Sequence, residues 1–351
     1  MGIKSIEMQN FTVFADEKLS FVRGLNVFVG PNGVGKTHVM KLIYAALQSA
    51  DPKVSFAGKI VRCFQPDDYR ISRLARRTAE ADNTFVKIIS CDSKDQIGKS
   101  LNIEFNNKTS KWDASVKGEK SWENQLSGIS SIFIPAKEIL SNSYNLNAAV
   151  DKSNVYFDDT YLDIINSAKI DISAGKNSDE RDKLLKQLEK KIGGKVVYDM
   201  KRDEFYLKQG SKNMEFPLVA EGIRKIALLW QLIKNGALDK GAVLLWDEPE
   251  ANLNPVYIPL LVDVIIELQR KGVQIFISTH DYFLAKYIDV RKTDADSVVF
   301  HSLYMTKENG VKCETGRSFV QLNNNTIMDT FLDLYKEEMQ DAGRVISQMR
   351  C

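Results

Sequence analysis

The sequence predicts an α/β fold in which a core sheet carries a phosphate-binding loop, with an antiparallel β-lobe and a helical insertion beside it. Three observations carry this expectation. The stretch Gly30-Pro31-Asn32-Gly33-Val34-Gly35-Lys36-Thr37 satisfies the pattern G-x-x-x-x-G-K-[ST]. Two buried-strand runs, the continuously apolar Ala242–Trp246 and then Val273–Ser278, lead into Asp247-Glu248 and Thr279-His280-Asp281. Short β-type runs fill the first part of the chain, whereas residues 137–194 turn polar and lose them.

The loop has the flanks that make it a site. Asn26–Val29 before it is a short buried-strand run, and Val39, Met40, Leu42, Ile43, Ala46 and Leu47 after it fall at helical spacing. Gly33 and Gly35 let the backbone curl, so that N–H groups, that of Asn32 among them, turn toward phosphate oxygens. The helix N-terminus adds partial positive charge. Lys36 is then placed to reach β- and γ-phosphates, and Thr37 to offer its hydroxyl to Mg²⁺.

Composition bounds the partners. The chain has 351 residues, 44% of them hydrophobic, ample for the core of one large or two ordinary domains. Lys plus Arg number 48 and Asp plus Glu 46, a net charge of +2. This balance gives no broad footprint for nucleic acid or an acidic membrane, although it allows a local patch. Cys63, Cys91, Cys313 and Cys351 form no C-x-x-C pair and suit neither a zinc site nor a disulfide framework. They read as reduced thiols of a cytoplasmic protein. The N-terminus has no apolar signal core, and no run reaches the roughly 18 apolar residues that a membrane span needs.

In chain order, Ile3, Ile6, Met8, Phe11, Phe14, Leu19 and Phe21 predict two antiparallel strands ahead of the loop strand. Phe14 is a packing residue or an adenine-stacking one. Lys59–Phe64 reads as a β-like run ending at Gln65-Pro66, where Gln65 either contacts Mg²⁺ or the attacking water or is a solvated turn residue. Arg70, Arg73, Arg76 and Arg77 fall near helical spacing, as a solvated face or an anion-binding patch. Strands are expected over Phe85–Ser90, Leu101–Phe105 and Ser130–Pro135, with Asn106–Asn124 as polar turns. Within 137–194, Ser178 caps a helix striped by Leu184, Leu185, Leu188 and Ile192 and ended by Gly193. Val196–Tyr198 and Phe205–Leu207 pair as a hairpin. Val219–Lys225 opens a helix carrying Ile226, Leu229, Trp230 and Ile233, and Pro255 starts another with Leu261, Val264 and Ile265 inward. Val298–Met305, a hairpin turn at Asn309-Gly310, and a last helix from Ile327 to Met349 complete the chain.

The carboxylates after the loop have direct chemical meaning. Asp247 is placed to hold Mg²⁺, Glu248 to polarise the water attacking the γ-phosphate, and His280, ending a neighbouring strand, to hydrogen-bond that phosphate. Together, Gly30–Thr37, Glu221-Gly222, Val243–Glu250, Ala251–Pro255 and His280 resemble the ATPase heads of the ABC class. The likeness is to the soluble branch, related to SMC-type and OLD-family ATPases, and runs over nearly the whole chain. Leu245-Trp246-Asp247-Glu248-Pro249-Glu250-Ala251-Asn252-Leu253-Asn254-Pro255 is similar to that branch's D-E-P-E-x-x-L-H-P, with Asn254 where His is usual. Met8-Gln9-Asn10-Phe11 is similar to its N-F opening.

The resemblance implies a single head, with lobe 1–136 and 215–351 and the insertion 137–194 as a partner-binding lid. It implies an ATP-sandwiched dimer or higher oligomer in which Glu221-Gly222 is the signature acting in trans, Gln65 the glutamine loop, and Asn252-Leu253 a loop crossing the interface. The cofactors implied are ATP and Mg²⁺. Departures qualify this. Ala220 stands where the signature has Ser, so one hydroxyl contact is missing and slow hydrolysis is expected; Arg224 or Lys225 either supplies charge in trans or is surface. The insertion is too short for a long coiled coil. The chain lacks the Toprim carboxylates of OLD nucleases, and Asp294 and Asp296 read as solvated. Short proteins of this kind resemble the ATPase half of two-component anti-phage systems such as PARIS or Septu. That implies a separately encoded nuclease or Toprim-like effector, with nucleic acid as a further partner and no membrane. A recombination-mediator ATPase and an ATP-dependent scaffold are the alternatives.

Overall fold

In the computed structural model the described residues are 1–77, 83–153, 157–170, 179–306 and 310–349. Strands β1 (Gly2–Phe11) and β2 (Phe14–Ser20) form a hairpin ahead of β3 (Leu25–Val29), and the phosphate-binding loop leads into α1 (Lys36–Gln48) and α2 (Phe56–Phe64). Next come β4 (Thr84–Cys91), β5 (Ile97–Phe105), β6 (Ser115–Lys117), α3 (Glu119–Leu126) and β7 (Ser131–Ile134). Helices α4 (Leu146–Ser153), α5 (Asp159–Lys169) and α6 (Asp179–Ile192) precede a small sheet of β8 (Lys195–Asp199), β9 (Glu204–Gln209) and β10 (Lys212–Glu215). The chain continues through α7 (Glu221–Lys234), β11 (Val243–Asp247), α8 (Ile258–Arg270), β12 (Gln274–Thr279) and α9 (Tyr282–Arg291). It closes with β13 (Val298–Thr306), β14 (Gly310–Gly316) and α10 (Thr326–Met349).

The main sheet has eleven strands in the order β6-β5-β4-β1-β2-β14-β13-β3-β12-β11-β7. From β13 to β7 every pairing is parallel, and from β13 back to β6 every pairing is antiparallel. The central parallel strands are apolar on both faces, as a sheet covered on both sides requires. Leu25, Val27, Leu244, Trp246, Ile275 and Ile277 face the cluster beneath α5 to α9, whereas Phe28, Val243, Leu245 and Phe276 face the cluster holding α1 and the antiparallel strands. Helices α5 and α6 bury Ile164, Ile165, Leu184, Leu185, Leu188 and Ile192 in the first of these clusters. Gly193 ends α6 at φ 74°, with its N–H and that of Gly194 both donating to the Glu189 carbonyl.

Several expectations are corrected. The run Lys59–Phe64 is the last six residues of the nine-residue helix α2, not a strand. Ser55 caps it by accepting from the Gly58 N–H, and Phe56, Ala57, Ile60, Val61 and Cys63 are its buried face. Arg70 lies between two short 3₁₀ turns, Asp67–Tyr69 and Ile71–Leu74, Arg73 on the second, and Arg76 and Arg77 beyond it, so they form no continuous helical face. The polar stretch after Asn106 contains α3, anchored by fully buried Trp122, whose indole N–H donates to the Ala46 carbonyl. Asp296 is no solvated residue: it accepts from Arg270, Gln269 and Thr293 and is almost wholly covered. Ser178 and Asn309 lie outside the described residues. Helix α9 and strand β10 had no counterpart in the sequence reading.

Candidate functional site

The parallel strands deliver their C-terminal ends to one edge, where ligands of α/β sheets bind. Loop Gly30–Thr37 leaves β3 there. Gly30 has φ 137°, and a Cβ on it would lie 2.2 Å from the Leu303 carbonyl oxygen, so only glycine fits. Gly35, at φ 87°, caps α1 against the rings and methyls of Phe14 and Val13. Phe14 is fully buried, which makes it a packing residue. Asn32 and Gly33 are exposed at the loop's crest. Lys36 is buried, and its ammonium donates to the carbonyls of Gly30 (2.7 Å) and Pro31 (2.9 Å). Burial lowers its pKa, against the opposing pull of Glu248, Asp247 and Glu250.

Strand β11 brings Asp247 to this lysine's side. The parallel register sets Asp247 beside Ser278 of β12 and Thr279 beside Val29 of β3. The Thr37 hydroxyl donates to Asp247 Oδ2 at 3.0 Å, and the Ser278 hydroxyl donates to Oδ1. Burial raises the Asp247 carboxyl above its usual range while these two hydroxyls hold it down. Thr37 and Asp247 therefore form a compact, oxygen-only donor set, which suits a hard divalent cation such as Mg²⁺.

Glu248 follows in the left-handed region at φ 46°, an uncommon conformation for this residue. Its N–H donates to the Ser278 carbonyl at 3.0 Å, which fixes the turn. The side chain is then thrown outward, where Glu248 Oε1 lies 3.2 Å from His280 Nδ1 at the end of β12. Sequence reasoning gave Glu250 no role, yet it is nine-tenths buried beside this pair. It accepts from the Thr279 hydroxyl at 2.6 Å, its Oε2 has no hydrogen-bond partner, and burial pushes its carboxyl up to about 7. The available signal was a second carboxylate two residues after Glu248, facing hydroxyl-ended β12.

The Glu221-Gly222 segment is built against the loop that follows Glu250. A Cβ on Gly222 would lie 2.9 Å from the Asn252 carbonyl oxygen, and the Asn252 amide donates to Glu221 at 2.9 Å. Neither cation after it is a surface group. Lys225 is buried and donates to the Ala251 carbonyl at 2.6 Å, and Arg224 pairs with buried Glu138 at 2.6 Å. Both are committed within their own chain, which corrects the expectation of a free charge. Ala220 caps α7 with no side-chain hydrogen bond. Gln65 caps α2 at φ 48° and lines a cavity with Arg62, Asp68 and Trp112.

No described helix is long and apolar enough to cross a membrane. A family model described as "AAA domain, putative AbiEii toxin, Type IV TA system" matches residues 25–286. The DNA replication and repair protein RecF of Lactococcus lactis subsp. cremoris strain SK11 is 28% identical over 106 residues, 30% of this chain and 28% of RecF. The DNA double-strand break repair Rad50 ATPase of Archaeoglobus fulgidus is 28% identical over 103 residues, 26% of this chain and 11% of Rad50. These matches thus span less than a third of either relative. A solved Smc head bound to the C-winged helix domain of ScpA superposes with a TM-score of 0.59 at 14% identity, covering 90% of this chain and 98% of that one; the likeness is one of fold. The fold is that of Smc head domains, and the chain belongs to the family of AAA domains described as putative AbiEii toxin, Type IV TA system.

Proposed function

We propose that this chain binds ATP with Mg²⁺ at Gly30–Thr37, hydrolyses it slowly, and uses the ATP-bound state as a switch over a separately encoded effector. The observation that carries the reading is the Thr37–Asp247–Ser278 cluster closing the loop, with Glu248 and His280 on its solvent side. In this reading Lys36 exchanges its carbonyl partners for phosphate oxygens. Thr37 and Asp247 hold the cation, which when bound would neutralise charge on the phosphates. Glu248 orients and polarises water, and His280 steadies Glu248 and reaches the γ-phosphate. The ledge of half-buried Glu221 and Gly222 and exposed Asn252 meets the loop of a second copy in an ATP-sandwiched dimer. Slow turnover follows from Ala220, which offers that dimer no hydroxyl.

An effector in trans, of nuclease or Toprim type in an anti-phage setting, is supported by inventory. The carboxylates and histidine that converge here are used by the nucleotide site, and the family's description names a toxin–antitoxin system. The names of RecF and Rad50 favour a second reading, a DNA-repair ATPase. One set of assays separates them. The purified chain, with and without Lys36→Ala, is incubated with ATP, Mg²⁺ and either no nucleic acid, duplex ends or single strands. The switch reading expects slow turnover little changed by DNA, no cleavage, and co-purification of a second gene product. Turnover raised by duplex ends would replace it with the repair reading. Cleavage that survives Lys36→Ala would contradict both.

A further inference from the structure

A second cavity, of about 940 Å³, lies between α2, the 3₁₀ turn after it, the Lys111-Trp112 turn of the antiparallel lobe, and α5. This volume suits a small organic ligand. Its wall includes three aromatic residues from different parts of the chain, Tyr69, Trp112 and Phe157, and two cationic ones, Arg62 and Lys111. Trp112 is 49% exposed, whereas Trp122, Trp230 and Trp246 are 2% exposed or less. Lys111 Nζ sits 5.8 Å from the Trp112 ring centroid. Asp159, on the same wall, is neutralised by Lys59 and Arg62, and Asp68 lies 3.9 Å from Arg70.

The backbone around this cavity is unusual. Gln65, Asp68, Tyr69 and Lys111 all line it, and all four are non-glycine residues at φ between 43° and 54°. The Lys111 carbonyl accepts from the Ile71 N–H at 2.6 Å, which fastens the two strained turns to each other. Strained backbone of this kind persists where its surroundings over-determine it, and it clusters at ligand sites. Here it presents an amide (Gln65) and a carboxylate (Asp68) beside the aromatic wall.

We propose that this cavity is a second nucleotide site, distinct from the phosphate-binding loop, which stacks a base on Trp112, Tyr69 or Phe157 and turns its phosphate toward Lys111 and Arg62. Aromatic faces take any base, the cations take phosphate, and the Gln65 and Asp68 side chains offer hydrogen bonds to the base edge. The ligand chemistry is an unstacked base with its phosphate, supplied as a free mononucleotide or as the end of a single strand. The site is independent of ATP binding at Lys36.

The test uses full-length Lys36→Ala protein, so that the loop cannot contribute. AMP, GMP, CMP, UMP and a six-residue oligothymidylate are titrated while tryptophan fluorescence is followed, because Trp112 is the solvent-accessible indole. Saturable quenching by a mononucleotide identifies a free nucleotide as the source, and saturable quenching by the oligonucleotide alone identifies a strand end. Binding of the responding probe, measured by calorimetry, should then weaken at least tenfold in Trp112→Leu and several-fold in Lys111→Gln, with circular dichroism unchanged. No saturable binding of any of the five probes would overturn the proposal. So would binding that both substitutions leave intact.

Discussion

The two halves of the eleven-stranded sheet are hydrogen-bonded into one surface yet differ in what they hold. In the parallel half, β3, β12 and β11 all finish at the same edge, so Lys36, Asp247, Ser278 and His280 come together from distant parts of the sequence. In the antiparallel half successive strands run in opposite directions, and their loops are divided between two edges. Its buried positions hold Ile6, Met8, Val86, Ile88, Leu101 and Ile103, which are packing residues. Strand direction therefore decides where side chains can converge, while both halves contribute to stability.

Substitutions should separate the halves by what they damage. The largest effect is expected from Glu248→Gln, which keeps the side chain's shape and removes its capacity to polarise water. Turnover should fall by about 10²–10⁴, with ATP binding retained and the dimer held closed. Single-turnover kinetics and sedimentation check both parts. Turnover like that of wild type would make Glu248 a structural residue. In the antiparallel half, Ile103→Ala should destabilise the chain by about 2–5 kcal/mol, read from denaturant unfolding, with ATP affinity per folded molecule unchanged. A lost nucleotide affinity there would mean that the halves are not separable.

Smaller effects sharpen the contrast. His280→Ala leaves the Thr37–Asp247 pair intact, so it should slow turnover less than Glu248→Gln does and leave thermal stability nearly unchanged. Glu250 tests the buried side of the site. Its carboxyl is raised from 4.5 to about 7 by burial, so the folded chain holds that proton more tightly than the unfolded chain does. This contribution is fully present below pH 4.5 and is lost as pH rises through about 7. The stability difference between wild type and Glu250→Gln should therefore shift against wild type across that window, by at most about 1.4 kcal/mol per pH unit. A difference independent of pH would mean that Glu250 stays ionised when folded.

The same contrast explains what could be read from the sequence. The parallel strands were legible because strands covered on both faces carry unbroken apolar stretches, as in Val243–Trp246 and Ile275–Ile277, and their ends carried the motif residues. Segments whose signals compete were not. Ile60 and Val61 are β-branched and suggested a strand, whereas Ser55 as a cap and the spacing of the buried residues make α2. Asp281 had no expected role after Thr279-His280, and its side chain caps α9 by accepting from the Leu284 N–H. Trp122 sits in a polar stretch whose helix is decided by packing under α1. The cis contacts of Arg224 and Lys225 depend on Glu138 and Ala251, partners that no local pattern reveals.

The central claim is that the parallel half forms a nucleotide site around Lys36, and isothermal calorimetry of ATP with Mg²⁺ tests it most directly. Wild type should bind with a single saturable phase, and Lys36→Ala should show no measurable heat while keeping its fold, because the phosphates lose their principal side-chain partner. Equal affinity in the two proteins, or no binding by wild type, would contradict it.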